Sequence, residues 1–189
     1  MGLDFISAVE LLIDENAIST KAYYHSEPEV EPPEKREIAV HDSKDITRMT
    51  SYLHVIRGLS AGSLARLIAE GKLSQEEKTG NAVFKIFDEN GLLVGAEKVG
   101  TSGGKFKSIE KGSASGYGFE MTKGNPVNAY FFESAIDSIS FADLHPELDN
   151  YRLISMAGVK SSVVKATMKR YEIQPENIYI CTDNDKAGN

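Results

Sequence analysis

The chain of 189 residues is long enough to bury a core as one medium domain or two small ones. With 41% hydrophobic and 26% charged residues it has the make-up of a globular protein rather than a disordered or fibrous one. Acidic residues outnumber basic ones by 28 to 21, for a net charge of −7, so bulk charge cannot hold it on nucleic acid, and any such role needs a local basic patch or bound cations.

No apolar run approaches the length of a membrane span, and the N-terminus lacks the basic flank and unbroken apolar stretch of a secretory leader. The single cysteine, Cys181, excludes an internal disulfide and a cysteine-based zinc site, so a reducing, cytoplasmic setting is expected.

From Leu3 to Ile18 the residues Phe5, Ile6, Val9, Leu12 and Ile13 recur at helical spacing and form one apolar stripe, which needs a partner to cover it. His25 to Glu37 interleaves Glu27, Glu29, Glu31, Glu34 and Glu37 with Pro28, Pro32 and Pro33, the pattern of an extended acidic linker. Asp45 then starts a helix to about Arg57, and Ser60 caps a second one from Ala61 to Glu70, stopped by Gly71. Leu53, Ile56, Leu59, Leu64, Leu67 and Ile68 make their expected shared seam.

Two β-rich runs, Asn81 to Phe87 and Leu92 to Val99, flank Asp88-Glu89-Asn90-Gly91, a hairpin signal. Phe106, Ile109 and Tyr117-Gly118-Phe119 point to two more short strands. Lys98, Lys105, Lys107, Lys111 and Lys123 outnumber the acids here, the one local positive excess; a solvated sheet face and a nucleic-acid surface are both open readings.

From Pro126 strands and helices alternate: strand Val127 to Phe132, helix Ser134 to Leu144, strand Tyr151 to Met156, helix Ser161 to Tyr171, strand Ile178 to Thr182. That rhythm predicts a parallel sheet with crossover helices. A parallel domain stopping just past its third strand lacks the next helix and strand, so the chain reads as a piece of a longer protein. The fold class expected is α/β: an α+β N-terminal part with an antiparallel sheet, then a partial β-α-β-α-β parallel sheet. The expected divisions are 1–25, a helical segment; 26–44, the linker; 45–125, the α+β domain; and 126–189, the parallel domain.

Glu133 directly follows one of these strands, and Asp183 and Asp185 directly follow another. The carboxyl ends of parallel strands share one sheet edge, where ligands bind. Carboxylates that converge there repel unless a cation lies between them, and oxygen donors of this kind suit Mg²⁺ or Mn²⁺. Other readings remain open on pattern alone. The aspartates could cap turns, and Glu133 could favour a helix start. A calcium loop is not expected, because position five is Ala187 and the string follows a strand rather than a helix.

Tyr130-Phe131-Phe132-Glu133 with Asp137 and Ile139 resembles the first motif of the toprim domain, and Ile178 to Gly188, with Asp183-Asn184-Asp185-Lys186-Ala187-Gly188, resembles the second. Tyr151 to Val159 is similar to the strand and glycine turn between them. Residues from about Asp45 to Thr122 resemble the uncharacterised domain ahead of toprim in primase-like proteins of bacterial mobile elements, through Tyr52-Leu53, Arg57-Gly58-Leu59, Gly71-Lys72-Leu73, Asn81-Ala82-Val83-Phe84 and Gly112-Ser113. Such relatives often carry Arg-Gly-Thr where this chain has Val99-Gly100-Thr101. The helix at Asp4 to Ile13 is similar to the end of a primase zinc-ribbon module, without its zinc ligands.

The resemblance implies a primase-type nucleotidyltransferase in the full-length protein, acting in replication or transfer of a mobile element. DNA and nucleotides are the implied partners, with helicase or other replication proteins alongside. It implies Mg²⁺ or Mn²⁺ held by Asp183, Asp185 and Glu133, with Glu133 also moving protons and Asp137 in a supporting role. Lys98, Lys105, Lys107, Lys111 and Lys160 become the implied nucleic-acid contacts. A toprim nuclease or strand-joining enzyme and a non-catalytic DNA-binding or assembly module are the alternatives.

Overall fold

In the computed structural model, which describes residues 38–103 and 106–183, the first helix, α1 (Thr47–Ser51), runs straight into a π-helical turn, Tyr52–Ile56. The N-terminal helical segment, most of the acidic linker, Lys105 and Asp185 lie outside the described residues. The Asp45 carboxylate accepts the Thr47 N–H at 2.9 Å, satisfying a donor at the helix start. Met49 and Leu53 are fully buried, but Ile56 is 70% exposed. The seam drawn from a period of 3.6 placed Ile56 inward; the wider π turn rotates it into solvent. The second helix, α2 (Ala61–Ala69), starts at Ser60, whose hydroxyl accepts the Ser63 N–H at 3.1 Å, and buries Leu64 and Leu67.

These helices lead into a four-stranded antiparallel sheet of β1 (Leu73–Gln75), β2 (Ala82–Phe87), β3 (Leu93–Val99) and β4 (Lys107–Ile109), in that order. The β2–β3 hairpin is where the turn signal put it. The Asp88 carboxylate accepts the N–H groups of Asn90 and Leu92, and Gly91 supplies the positive φ the turn needs. β1, with three residues and one aliphatic side chain, carries too little pattern to be read from sequence.

The second sheet has the order β5-β7-β6-β8, from β5 (Phe119–Lys123), β6 (Ala129–Phe132), β7 (Tyr151–Ser155) and β8 (Ile178–Cys181). β7, β6 and β8 are parallel, as the alternation predicts, and are linked by helices α3 (Ala135–Leu144) and α4 (Ser161–Tyr171). β5 pairs antiparallel with β7, so the sheet is mixed. The strand expected near Tyr117-Gly118-Phe119 thus hydrogen-bonds in the second sheet, although it precedes the boundary drawn at 125/126.

Pleat alternation sorts the second sheet's side chains. Phe119, Met121, Phe132 and Leu153 join the larger core shared with α3, the first sheet and the helical pair. Ala129, Phe131 and Ile154 pack on the other face with Val163 and Val164 of α4. The sheets meet at Phe84 and Phe119, whose rings stand edge to face with centroids 5.5 Å apart. Among the described residues no helix is long and apolar enough to cross a membrane.

Gly118 sits where β5 passes closest to β7, and a Cβ built there would lie 2.0 Å from the Ser155 carbonyl oxygen. Gly118→Ala is expected to destabilise the fold by about 2 kcal/mol or more, read as a lower urea midpoint, because backbone rather than a flexible side chain would have to give way.

Candidate functional site

The register of the parallel strands sets the site. Phe132 lies opposite both Ser155 on β7 and Cys181 on β8, so the residues that follow all emerge at one sheet edge. Glu133 follows β6 and is half-buried. One of its carboxylate oxygens accepts the Asp183 N–H at 3.1 Å, which sets the ends of β6 and β8 side by side. Its carbonyl accepts the Gly158 N–H at 2.7 Å, from the turn after β7. That turn carries Ala157 and Gly158 at φ of 50° and 98°. Thus two expected site residues fifty positions apart, Glu133 and Asp183, are neighbours; Asp185 lies beyond the described residues. Among the described residues no three His, Cys, Asp or Glu side chains form a group that could hold a metal.

Asp137 is turned to another task. Ser134 is 1% exposed and caps α3; its hydroxyl accepts the Asp137 N–H at 3.4 Å and donates to the Asp137 carboxylate. The Asp137 carboxylate thus holds the capping hydroxyl and not the Ser134 backbone N–H, and it helps fix the start of the helix that Glu133 leads into. Lys160 is exposed at the start of α4, just past the Ala157-Gly158 turn and so on the carboxyl side of β7.

The lysines divide by face. On β3 and β4, Glu97 pairs with Ile109, Lys98 with Ser108 and Val99 with Lys107. Paired residues share a sheet face. Lys107 therefore lies on the face of Glu97 and Val99, and Lys98 on the opposite one. Lys98 is engaged there by the carboxylates of Glu76 and Glu110, its side chain only 12% exposed. Burial would lower the ammonium pKa, but Glu110 and Glu76 overcome it and hold the group above its usual value. Lys107 and Lys111 are exposed, and Lys105 is outside the described residues.

Glu97 is the residue that sequence reasoning missed, having counted it only as an acid among lysines. It is 3% exposed, reaches from β3 into the second sheet, and accepts the Ala135 N–H at 3.2 Å on each oxygen and the Ser155 hydroxyl at 2.7 Å. A signal existed: Glu97 shares its face with Phe84, Ala82 and Ile86, so the strand alternation points it inward. Burial raises its carboxyl pKa above the usual range, opposed by the Ser155 and Ala135 hydrogen bonds and by nearby Lys107, and reinforced by Asp137.

A carboxyl with a raised folded-state pKa contributes stability that is complete below the unfolded value and is lost as pH rises through the folded one. Glu97→Gln cannot ionise. Its stability relative to wild type is therefore expected to improve as pH rises above the ordinary glutamate value of 4.5, with urea unfolding at several pH values as the measurement.

Residues 51–126 match a family described only as a protein of unknown function, DUF3991, and residues 130–189 match the toprim-like family. An uncharacterised protein of Bacillus anthracis is 33% identical over 200 residues, covering 97% of this chain and 56% of the relative. A 65 kDa protein of Zymomonas mobilis is 34% identical over 116 residues, covering 58% of this chain and 20% of the relative. The chain therefore spans about half the length of the first relative and a fifth of the second. Among solved structures, the primase fragment of the bacteriophage T7 primase-helicase protein is similar in fold, with a TM-score of 0.51 at 18% identity, over 71% of this chain and 55% of that one.

Proposed function

The chain joins a DUF3991 domain to a toprim-like domain, and from that premise we propose that it is the primase-like part of a mobile-element protein, performing metal-dependent nucleotidyl transfer on DNA. The observation that carries the reading is the pairing of Glu133 with the Asp183 amide at the shared carboxyl edge of β6 and β8. The donors brought to that edge are carboxylate oxygens, which fit a hard divalent ion and not a soft one.

Asp183 and Asp185, with Glu133 beside them, would hold Mg²⁺ or Mn²⁺, which when bound would supply stabilisation of negative charge on a reacting phosphoryl group. Glu133, its carboxylate aimed by the Asp183 amide, takes or gives the proton of the reacting hydroxyl. Lys160 meets phosphate at the same edge. Lys107 and Lys111, with Lys105, meet the template backbone from the first sheet. Lys98 is set apart from them: held by Glu76 and Glu110, it serves the sheet. DNA and nucleotides are the substrates, and helicase or other replication proteins are the fitting partners.

Mn²⁺ should raise the melting temperature by binding the folded state alone, worth about 1.4 kcal/mol at ten times its dissociation constant. Asp183→Asn and Asp185→Asn should remove most of that rise, while Glu133→Gln should lower template-directed ribonucleotide incorporation more than it weakens Mn²⁺. A melting curve that ignores Mn²⁺ in wild type, or nicked DNA as the product in place of oligoribonucleotides, would overturn the reading.

Lys107→Ala should weaken DNA binding and reduce its salt slope by about one counterion. Lys98→Met should leave that slope unchanged yet destabilise the fold by about 2 kcal/mol, by leaving the Glu76 and Glu110 carboxylates without their cation. Salt titrations of binding and urea unfolding of both variants check the division.

A further inference from the structure

We infer that Glu97 is a positioning residue for Glu133: from the first sheet it closes a ring of hydrogen bonds that fixes the backbone leaving Glu133 against the turn after β7. The ring can be followed atom by atom. The Glu97 carboxylate accepts the Ala135 N–H, two residues past Glu133. It also accepts the Ser155 hydroxyl at 2.7 Å. The Ser155 oxygen in turn accepts the Ala157 N–H at 3.1 Å. The next residue, Gly158, donates its N–H to the Glu133 carbonyl at 2.7 Å. Every link is a hydrogen bond or one or two residues of chain, and the Glu133 carbonyl, next to the α-carbon that bears the carboxylate, is a member of the loop.

Within the second sheet the Met156 N–H donates to the Phe132 carbonyl at 2.8 Å, ahead of Glu133, but the link from Ala135 to the Ser155 hydroxyl passes through a side chain on β3. A side chain from one sheet therefore sets the direction of a carboxylate on the other. The placement suits an anion, since Ala135 is the first residue of α3, whose N-terminus carries unsatisfied N–H groups and partial positive charge. The Glu97 carboxylate is buried and does not reach the Glu133 side chain, so it acts through the backbone and not on substrate.

The chemical consequence rests on the reading of Glu133 as a group of the metal and proton edge. The positioning itself does not, and the two are tested separately. The control is Asp143→Ala. Asp143, on α3, accepts hydrogen bonds from the Ser60 N–H, the Ser60 hydroxyl and the Ser63 hydroxyl, joining the same two parts of the molecule outside the ring.

In the whole 189-residue chain, hydrogen exchange well below the melting transition is read at the Gly158 and Asp183 amides. Glu97→Ala should speed it about tenfold, the equivalent of one lost hydrogen bond. Glu97→Gln, which keeps an acceptor for Ala135 and a polar partner for Ser155, should restore most of the protection. Asp143→Ala should lower the melting temperature and leave both amides at wild-type exchange. If Glu97→Ala does not fold, Ser155→Ala opens the same ring at its other joint and should speed Gly158 in the same way. Unchanged exchange at Gly158 and Asp183 in the ring-opening variants, or equal acceleration by Asp143→Ala, overturns the inference.

A second arm reads Mn²⁺ by melting. Where wild type responds, the Glu97→Ala midpoint should rise about tenfold, as for loss of an outer partner of a ligand, and an unchanged midpoint overturns the inference. Where wild type does not respond, the metal reading fails and the amide exchange alone decides the positioning role.

Discussion

The two sheets are tied by an exchange of carboxylates. Glu97, on the first sheet, occupies the N-terminus of α3, and Asp143, on α3, occupies the N-terminus of α2. Each helix start needs acceptors for N–H groups that its own turns cannot satisfy, and each finds one on the opposite side of the molecule. Removing the Glu97 carboxylate from water costs several kcal/mol, which its hydrogen bonds, at about 1.5–3 kcal/mol each, offset only in part, as its raised pKa shows. Removing Glu97 itself is also costly, because N–H and hydroxyl groups would remain buried without acceptors. Apolar packing, as between Phe84 and Phe119, tolerates small slides; the carboxylate exchange does not, and so it fixes one docking of the sheets.

That fixed docking matters because of where the parallel strands end. Their common edge brings Glu133, the Ala157-Gly158 turn and Asp183 together whatever the first sheet does, through register alone. What register cannot supply is the direction of each side chain. Ser155 shows how direction is added: it ends β7 on the face that looks toward the first sheet, so its hydroxyl meets Glu97 while its oxygen holds the turn beyond. Gly118, under the same strand, lets β5 approach closely enough to keep Ser155 there.

Much of this was legible in the sequence, and the reasons differ by element. The parallel strands are short apolar runs that alternate with helices of ten and eleven residues, and Ser60 and Ser134 mark helix starts where the hydroxyls accept backbone N–H groups. The Asp88 to Gly91 turn is local chemistry and was equally readable. Three features were not legible. The π-helical turn that exposes Ile56 changes the period itself. β1 is too short to carry a pattern. The antiparallel pairing of β5 depends on which sheet a strand joins, a question of tertiary contact that no window of residues contains. The adjacency of Glu133 and Asp183 was legible because strand ends in a parallel sheet converge by rule. Glu97 was missed because its significance lies in a partner 38 residues away, at Ala135, on a different sheet.

The acidic balance of the chain takes on another meaning once the acids are sorted by what they touch. Glu97 and Asp143 accept N–H groups at helix N-termini, Asp137 accepts the capping hydroxyl of Ser134, and Glu76 and Glu110 hold Lys98. Their charges are spent inside the fold and contribute little to the field a ligand meets. Lys98 is withdrawn from the surface by the same pairing. Among the charges that face solvent is a local contrast: exposed Lys107 and Lys111 on the first sheet, and Glu133 with Asp183 at the edge of the second. An anionic polymer would be attracted to the former and repelled by the latter unless cations screen the carboxylates. A net charge of −7 therefore does not argue against a nucleic-acid partner. Lysines favour the approach of such a partner, and divalent ions would offset the repulsion of the carboxylate edge.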